Sequence, residues 1–529
     1  MQQLLLGDEA IAQGAIDAGI SGVYAYPGTP STEIMEYIQK VNDADKLEIH
    51  CRWSANEKTA MEAALGMSYA GKRAIVCMKH VGLNVAADPF MNSALTGVNG
   101  GLLVVSADDP SMHSSQNEQD SRFFGKFALL PVFEPSTQQE AYDMVRYGLN
   151  ISEELKIPVL LRITTRLAHS RTGISRTEGR IPNKLSMPAD LRQFILLPAF
   201  ARIRYKNLLG LQPNLEEKAY SAGFNKFTDG EDKSLGIISC GIANNYVMEN
   251  ITNAGLKYPV LKISQYPVPK KLIDKLTSVC KTIIVFEDGY PFIEEQLKGY
   301  IDHGHIIKGR LSGDIPRDGE LNPGIVSKAL GLIEKQFTIV PEIVVNRPPQ
   351  LCKGCSHIDT YLALNDAIAQ YTKGRVFSDI GCYTLGALPP FNSINTCVDM
   401  GASITMAKGA ADAGLVPAIA VIGDSTFTHS GMTGLLDAVI ENSPITVIIS
   451  DNETTGMTGG QPSMATSKLE KICLGLGVAP EHLKVIIPLK KNHEENVKIM
   501  AQEIEYQGLS VIISQRECIQ TAARRNRGK

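Results

Sequence analysis

The sequence predicts an α/β protein, with two doubly wound parallel-sheet domains flanking a smaller α/β domain. Three observations predict it. Short apolar runs alternate with helical patterns from residue 1 to about 190 and from about 345 to 529, with a shorter such stretch between. That alternation places parallel strands under covering helices. The chain has 529 residues, room for about three or four domains of roughly 150 residues each. Polar clusters directly follow several strand-like runs, at the carboxyl ends where open α/β sheets bind ligands.

In the first region GVYAYPGTPS, RAIVCMKH, GLLVVSADD and PVLLRITT read as strands ending in loops, with NEKTAMEAALGMSYAG as a helix among them. This domain is placed at residues 1–195. Residues 196–234 are polar and turn-rich, end in NKFTDGEDKS, and are expected to be a linker or irregular excursion. The strand-like SLGIISCGI, YPVLKIS and TIIVFEDGY, with a helical ANNYVMENI, make the smaller domain at 235–340. The Pro-punctuated QFTIVPEIVVNRPPQL is expected to cross to the last domain, 341–529, where RVFSDIG, AIAVIGD, ITVIISDN and LSVIISQRE read as strands.

Composition excludes several classes. Apolar residues are 44% and charged residues 20%, ordinary for a soluble globular protein. The net charge of −4 speaks against a nucleic-acid or anionic-membrane binder, and the basic RRNRGK at the end reads as a solvated tail. No apolar run is long enough for a membrane span, and MQQLLLGDEA lacks the basic start of a signal peptide. Ten cysteines are too dilute for a disulfide scaffold. Together with the missing export signal they point to a reducing cytoplasm.

The most informative segment runs from Ala418 to Gln461. One strand ends at Gly423-Asp424-Ser425, the helical SGMTGLLDAVIE follows, and a second strand ends at Asp451-Asn452. An oxygen-binding cation such as Mg²⁺ suits this arrangement: Asp424 offers a carboxylate, Asn452 an amide oxygen, and the following loop a carbonyl. The glycine-rich GMTGGQ, including Gly456, lets backbone approach a diphosphate. Read singly, GD and DN are common turn residues after strands. Read together, one β–α–β unit apart and followed by TGG, they resemble the thiamine-diphosphate motif, with Ser425 in place of its second glycine.

A thiamine enzyme also needs a carboxyl group to hydrogen-bond the cofactor's pyrimidine and favour its imino tautomer, which sets up proton removal from the thiazolium. Glu57, in SANEKTAMEAALG at a helix start, is the candidate; Glu62, on another face, is the second choice. A helical glutamate taken alone is a solvated face. Here YPGTPSTEI lies upstream and CMKHVGLNVAADPF downstream.

Four cysteines stand apart. Cys352-Lys-Gly-Cys355 opens the last domain, Cys382 ends SDIGC, and Cys518 follows the last strand in SQREC. A lone CxxC fits a redox pair or half a zinc site, and unligated thiols remain a further reading. Soft thiolates gathered at the strand-end rim of a reducing-compartment protein suit an iron–sulfur cluster. Cys51, Cys77, Cys240, Cys280, Cys397 and Cys473 lie in or beside apolar runs and read as core thiols.

YPGTPSTEI, WSANEKTAMEAALG, MKHVGLNVAADPF, VVSADDPSMHSSQNEQD, SDIGCYTLGALPP and GDSTFTHSGMTGLLDAV together resemble the alpha subunits of indolepyruvate:ferredoxin oxidoreductase, in the 2-oxoacid:ferredoxin oxidoreductase superfamily. The resemblance covers about residues 5 to 520 and is least distinctive at 200 to 345. It implies a pyrimidine-binding domain, a transketolase-C-terminal-like domain and a diphosphate-binding domain, in that order. It implies that Glu57 activates thiamine diphosphate, and that Asp424, Asn452 and the carbonyl of Thr454 hold Mg²⁺. Thr29 falls at a cofactor and substrate-carboxylate position; Lys79, His80 and Asn84 fall in a motif near the substrate. His357, Gly381, Gly423, Ser425 and Gly456 complete the cofactor-binding set. Cys352, Cys355, Cys382 and Cys518 match the order of a proximal [4Fe-4S] site.

The implied reaction is CoA-dependent oxidative decarboxylation of aryl 2-oxoacids, with ferredoxin as electron acceptor and a smaller beta subunit in an α2β2 assembly. Competing readings are a non-oxidative thiamine-dependent decarboxylase or lyase and a catalytically silent assembly subunit. Alpha subunits of the family continue into a ferredoxin-like domain with repeated CxxCxxCxxxCP. No such run occurs in these 529 residues, so a form lacking that domain is expected.

Overall fold

The computed structural model describes residues 2–188, 193–300, 304–316, 319–332, 341, 343–345, 350–371, 375–397, 400–412 and 414–527. Most of the expected crossing segment QFTIVPEIVVNRPPQL lies outside these residues. The chain forms two compact units, residues 1–338 and 339–529.

The first unit holds two large sheets. One has seven strands in the order Gln265–Tyr266, Val132–Phe133, Val159–Thr164, Leu102–Asp108, Ala74–Lys79, Gly22–Ala25 and His50–Trp53, parallel except for the first pair. Its central strands are buried along their whole length and apolar up to Met78 and Val105, as strands covered on both faces must be. Residues Ile75, Cys77, Leu103 and Val105 pack on one side with Ile11, Ala15 and Met35. Their neighbours Val76, Met78, Leu102 and Val104 pack on the other with Met61, Ala64 and Phe90. This period-two division is the pleat expressed as two half-cores.

The second sheet runs Ile306–Lys308, Thr282–Phe286, Gly236–Cys240, Val260–Ile263 and Lys226–Thr228, with only the last strand antiparallel. The segment Gln265–Tyr266, just beyond its strand Val260–Ile263, pairs with the first sheet instead. That exchange helps to make the first 338 residues one compact unit.

A buried ionic network also joins the two sheets. Arg162 donates to Asp108 at 2.6 Å and to Glu134 at 2.5 Å, and Arg122 donates to Asp120 at 2.5 Å and to Glu287 at 3.0 Å. Both arginines are fully buried. Burial opposes their charge, but the surrounding carboxylates overcome it and hold both guanidinium groups above their ordinary range. Asp120, despite the same burial, is held down to about 2 by Arg122 and Arg162. Removing one partner of such a network strands the others. We expect Arg162→Met to lower the unfolding free energy by about 3–5 kcal/mol, read from the midpoint of chemical denaturation. A shift below about 1 kcal/mol, the range of exposed ion pairs, would contradict it.

The stretch 196–234 is not irregular throughout. Pro198–Ser221 is a helix of 24 residues. Leu208, Leu215 and Ala219 are buried along it and Leu211 is partly buried, a seam at helical spacing. Gly210 and Pro213 inside the run conceal that periodicity in the sequence.

The second unit has one five-stranded parallel sheet, ordered Val376–Ser378, Ala418–Gly423, Ile445–Asp451, Ser510–Gln515 and Leu483–Ile486. Ala420, Ile422, Val447 and Ile449 pack beside Ile404 and Leu435. Ile419, Val421, Ile448 and Ile512 pack beside Tyr361 and Leu364. The basic C-terminal stretch, expected to be a solvated tail, belongs in part to a helix, Ile519–Arg527. Its Arg524 donates to the Gly459 carbonyl. Among the described residues no helix is long and apolar enough to cross a membrane.

Candidate functional site

In the second unit, the parallel register sets Gly423 opposite Ser450, so both polar clusters leave the sheet side by side. Asp424 is 2% exposed, and its Oδ2 is buried without a hydrogen-bond partner. Burial, and then the neighbouring Asp451 charge, push its carboxyl up to about 7. Asp451 itself is satisfied by the Glu453 amide at 3.1 Å and by Gln515 at 3.0 Å. The Asn452 amide oxygen accepts from the Thr454 N–H at 3.2 Å, so Asn452 and Thr454 form one tight turn. Ser425, the departure from the glycine pattern, accepts from the Thr455 hydroxyl at 3.0 Å and ties the two clusters together. A buried carboxylate oxygen lacking a donor, at a strand end adjacent to one that offers an amide oxygen and a turn carbonyl, is part of an oxygen donor set suited to a divalent cation.

The glycines beside it have distinct roles. A Cβ on Gly381 or Gly423 would lie 2.2 or 2.5 Å from the Tyr383 ring. These two positions therefore admit an aromatic side chain, whose hydroxyl donates to Asp379. A Cβ on Gly456 would lie 3.0 Å from the Cys382 sulfur. His357 is buried, its Nε2 lies 3.5 Å from the Asn452 amide nitrogen, and burial lowers its pKa to about 4, so the ring is neutral.

The cysteines gather around the same loops. The Cys518 N–H donates to the Asn452 carbonyl at 3.1 Å, and the Cys355 N–H to the Cys352 carbonyl at 2.9 Å. The Cys382 thiol is pushed up to about 12, first by burial and then by Cys355, Cys518, Cys352 and Asp424. Cys382 thus lies within electrostatic reach of the other three, and Cys355 of Cys352 and Cys518.

In the first unit, Glu57 opens the helix Glu57–Tyr69, capped by Asn56, whose side chain accepts from the Thr59 N–H at 2.8 Å. Glu57 is 5% exposed, and a Cβ on Gly82 would lie 2.5 Å from its Oε1. Glycine at 82 is thus what lets the helix His80–Val85 approach that carboxylate. Glu62, by contrast, is exposed and paired with Lys58 at 2.5 Å.

Lys79 ends the strand Ala74–Lys79, is 9% exposed and donates to the Ser114 carbonyl at 2.8 Å. Burial lowers its pKa to about 8 against the opposing pull of Asp109. The Lys79 Cβ lies 3.2 Å from the Cβ position of Gly28, which places the half-buried Thr29 in the adjoining loop. His80 is buried, with Nε2 at 3.2 Å from the Asn117 carbonyl and Nδ1 without a partner. Asn84 is exposed, one turn on.

With this geometry in view, comparison with known proteins is informative. Residues 379–484 match the family described as thiamine pyrophosphate enzyme, C-terminal TPP binding domain. Residues 13–187 match that described as pyruvate flavodoxin/ferredoxin oxidoreductase, thiamine diP-bdg. The indolepyruvate oxidoreductase subunit IorA of Archaeoglobus fulgidus is 38% identical over 99% of this chain and 88% of its own length. That of Pyrococcus abyssi is 37% identical over 97% and 85%. The chain belongs to the IorA family of indolepyruvate oxidoreductase subunits. In fold it is also similar to a 2-oxoglutarate:ferredoxin oxidoreductase from Magnetococcus marinus, with a TM-score of 0.52 at 18% identity over 62% of this chain and 65% of that one.

Both matched regions of this IorA-family chain are thiamine-diphosphate-binding domains. In the sequence MHSSQNEQD serves only as part of the family resemblance; the fold gives it a structural role, because Ser114 and Asn117 hold Lys79 and His80. Sequence reasoning passed over Asp379 and Tyr383. Asp379 follows a strand of only three residues, and nothing local marks Tyr383 as filling the space left by two glycines. Cys397 proves exposed, whereas Cys77, Cys240, Cys280 and Cys473 are buried as expected.

Proposed function

We propose that this chain, with a smaller partner subunit in an α2β2 assembly, catalyses oxidative decarboxylation of aryl 2-oxoacids such as indole-3-pyruvate. The products are an aryl-acyl-CoA, CO₂ and reduced ferredoxin. The observation that carries this reading is the loop from Asn452 to Gly456. Its Thr455 bonds Ser425, next in the chain to Asp424 with its orphaned oxygen, and the loop also bonds the Cys518 backbone and abuts the Cys382 sulfur. Non-oxidative thiamine chemistry has no need for thiolates there; single-electron chemistry does.

Bound thiamine diphosphate supplies the carbon nucleophile and electron sink for decarboxylation, and a bound iron–sulfur cluster supplies the single-electron acceptor. Asp424, Asn452 and the Thr454 carbonyl would hold the Mg²⁺ that neutralises the diphosphate charge. Glu57 keeps a proton at the pyrimidine nitrogen. Cys352, Cys355, Cys382 and Cys518 hold a [4Fe-4S] cluster, whose iron offsets four thiolate charges that otherwise repel one another. Lys79 and Thr29 bind the oxoacid carboxylate. His80, with Nε2 committed to Asn117, presents Nδ1 as an acceptor, and Asn84 lies on the same helix face.

The test is anaerobic turnover of the co-purified complex with arylpyruvates, CoA and a viologen dye, together with iron and sulfide analysis. CoA-dependent dye reduction and about four irons per chain are expected. Aldehyde formed without CoA, or no turnover at all, would overturn the proposal.

The lysine makes a separate pH prediction. Its charge is present below about 8 and is lost as pH rises through that value. We expect KM for the oxoacid to rise above that pH by about tenfold per unit. Lys79→Met should raise KM at pH 7 and abolish the pH slope; a slope that persists in the variant contradicts the assignment.

A further inference from the structure

We propose that Asp8, Glu33 and His169 form a site for one divalent first-row transition cation, separate from the thiamine and cysteine chemistry. Asp8 is the second residue of the helix Gly7–Asp17, Glu33 the second of Thr32–Asp45, and His169 the last of Thr165–His169. One ligand atom from each lies within 4.8 Å of the other two. His169 Nε2 is 3.6 Å from Glu33 Oε1.

Asp8 is 0% exposed and its carboxylate oxygens meet no N–H or hydroxyl donor; the group they face is the Glu33 carboxyl, whose Oε2 is likewise buried without such a donor. A buried acceptor without a donor is costly, more so when charged. Two carboxylates that face each other need something positive between them, a shared proton or a cation. Burial first, then the negative charges of Glu33 and Glu9 and the hydrogen bond with Glu33, hold the Asp8 carboxyl well above the usual range. Asp109 adds negative charge near His169, and the buried Cys77 thiol lies within reach of the Asp8 charge.

The third ligand favours the cation. With a shared proton His169 pairs with Glu33 alone, its Nε2 3.6 Å away, whereas a cation draws on a ligand atom of all three residues at once. Two carboxylates and an imidazole are a common donor set for Zn²⁺, Mn²⁺ or Fe²⁺, and the imidazole disfavours Ca²⁺ and Mg²⁺. The Glu33 and His169 side chains are each 36% exposed, so the site opens to solvent on the side where water would complete the coordination. A cation here clamps three segments, including the helix that begins just beyond the Thr29 loop.

The experiment uses the full chain, stripped with a chelator and titrated with Co²⁺. Wild type is expected to take up one Co²⁺ more per chain than His169→Gln or Asp8→Asn. That extra equivalent should lack thiolate-to-cobalt charge-transfer absorption and should raise the melting temperature by several degrees. His169 is exposed, so its variant remains informative whatever Asp8→Asn does to folding. Equal uptake and equal stabilisation in wild type and His169→Gln overturn the proposal, and so does an extra equivalent that carries thiolate absorption.

Discussion

Glu57→Gln is expected to lower CoA-dependent viologen reduction by about 10²–10⁴-fold while leaving the melting temperature and thiamine diphosphate affinity close to wild type. Glutamine has nearly the same shape, so the 5%-exposed pocket against Gly82 is refilled without a cavity. What is lost is the carboxyl that holds a proton at the cofactor. A variant that merely loosened packing would show reduced stability and a smaller kinetic effect. Glu62→Gln is the internal control. That side chain is exposed and its ion pair with Lys58 is a surface i,i+4 pair, worth a few tenths of a kcal/mol, so activity should stay within about twofold. Activity of Glu57→Gln within about tenfold of wild type would remove Glu57 from its assigned role.

Cys518→Ala is expected to reduce iron from about four atoms per chain to below one and to abolish dye reduction, with thiamine diphosphate still bound. The Cys518 N–H to Asn452 carbonyl bond belongs to the backbone, so alanine preserves the loop while deleting the sulfur. Cys473→Ala, at a buried thiol of the core cluster, should lower stability through its cavity and leave the iron content unchanged. Cys397→Ala, at an exposed position, should alter neither. If Cys518→Ala keeps its iron, the four-cysteine ligand set is wrong.

Much of the site can be read from the sequence because its parts are local. Asp424 and Asn452 follow strands whose continuous apolar runs need cover on both faces, and a parallel β–α–β unit must bring two such strand ends to one edge. Glu57 is announced by the helix that it opens. Other parts could not be read. Pro198–Ser221 carries its apolar seam at helical spacing, but the internal glycine and proline make the same residues look like a linker. Glu57 and Glu62 differ little in sequence; the difference is that Gly82 seals one carboxylate while Lys58 and solvent satisfy the other.

By itself the sequence determined the fold class, the strand-end positions of the cofactor motif and the family, since these rest on periodicity and on short runs of contiguous residues. Tertiary structure alone decided which charges are buried and which are paired. Arg122 and Arg162 reach carboxylates from two sheets, MHSSQNEQD becomes the clasp on Lys79 and His80, and Asp8 meets Glu33 and His169 across three helix ends. Those relations join residues far apart in the chain. The cost of an unsatisfied buried charge, which makes each of them informative, exists only after folding has removed the water.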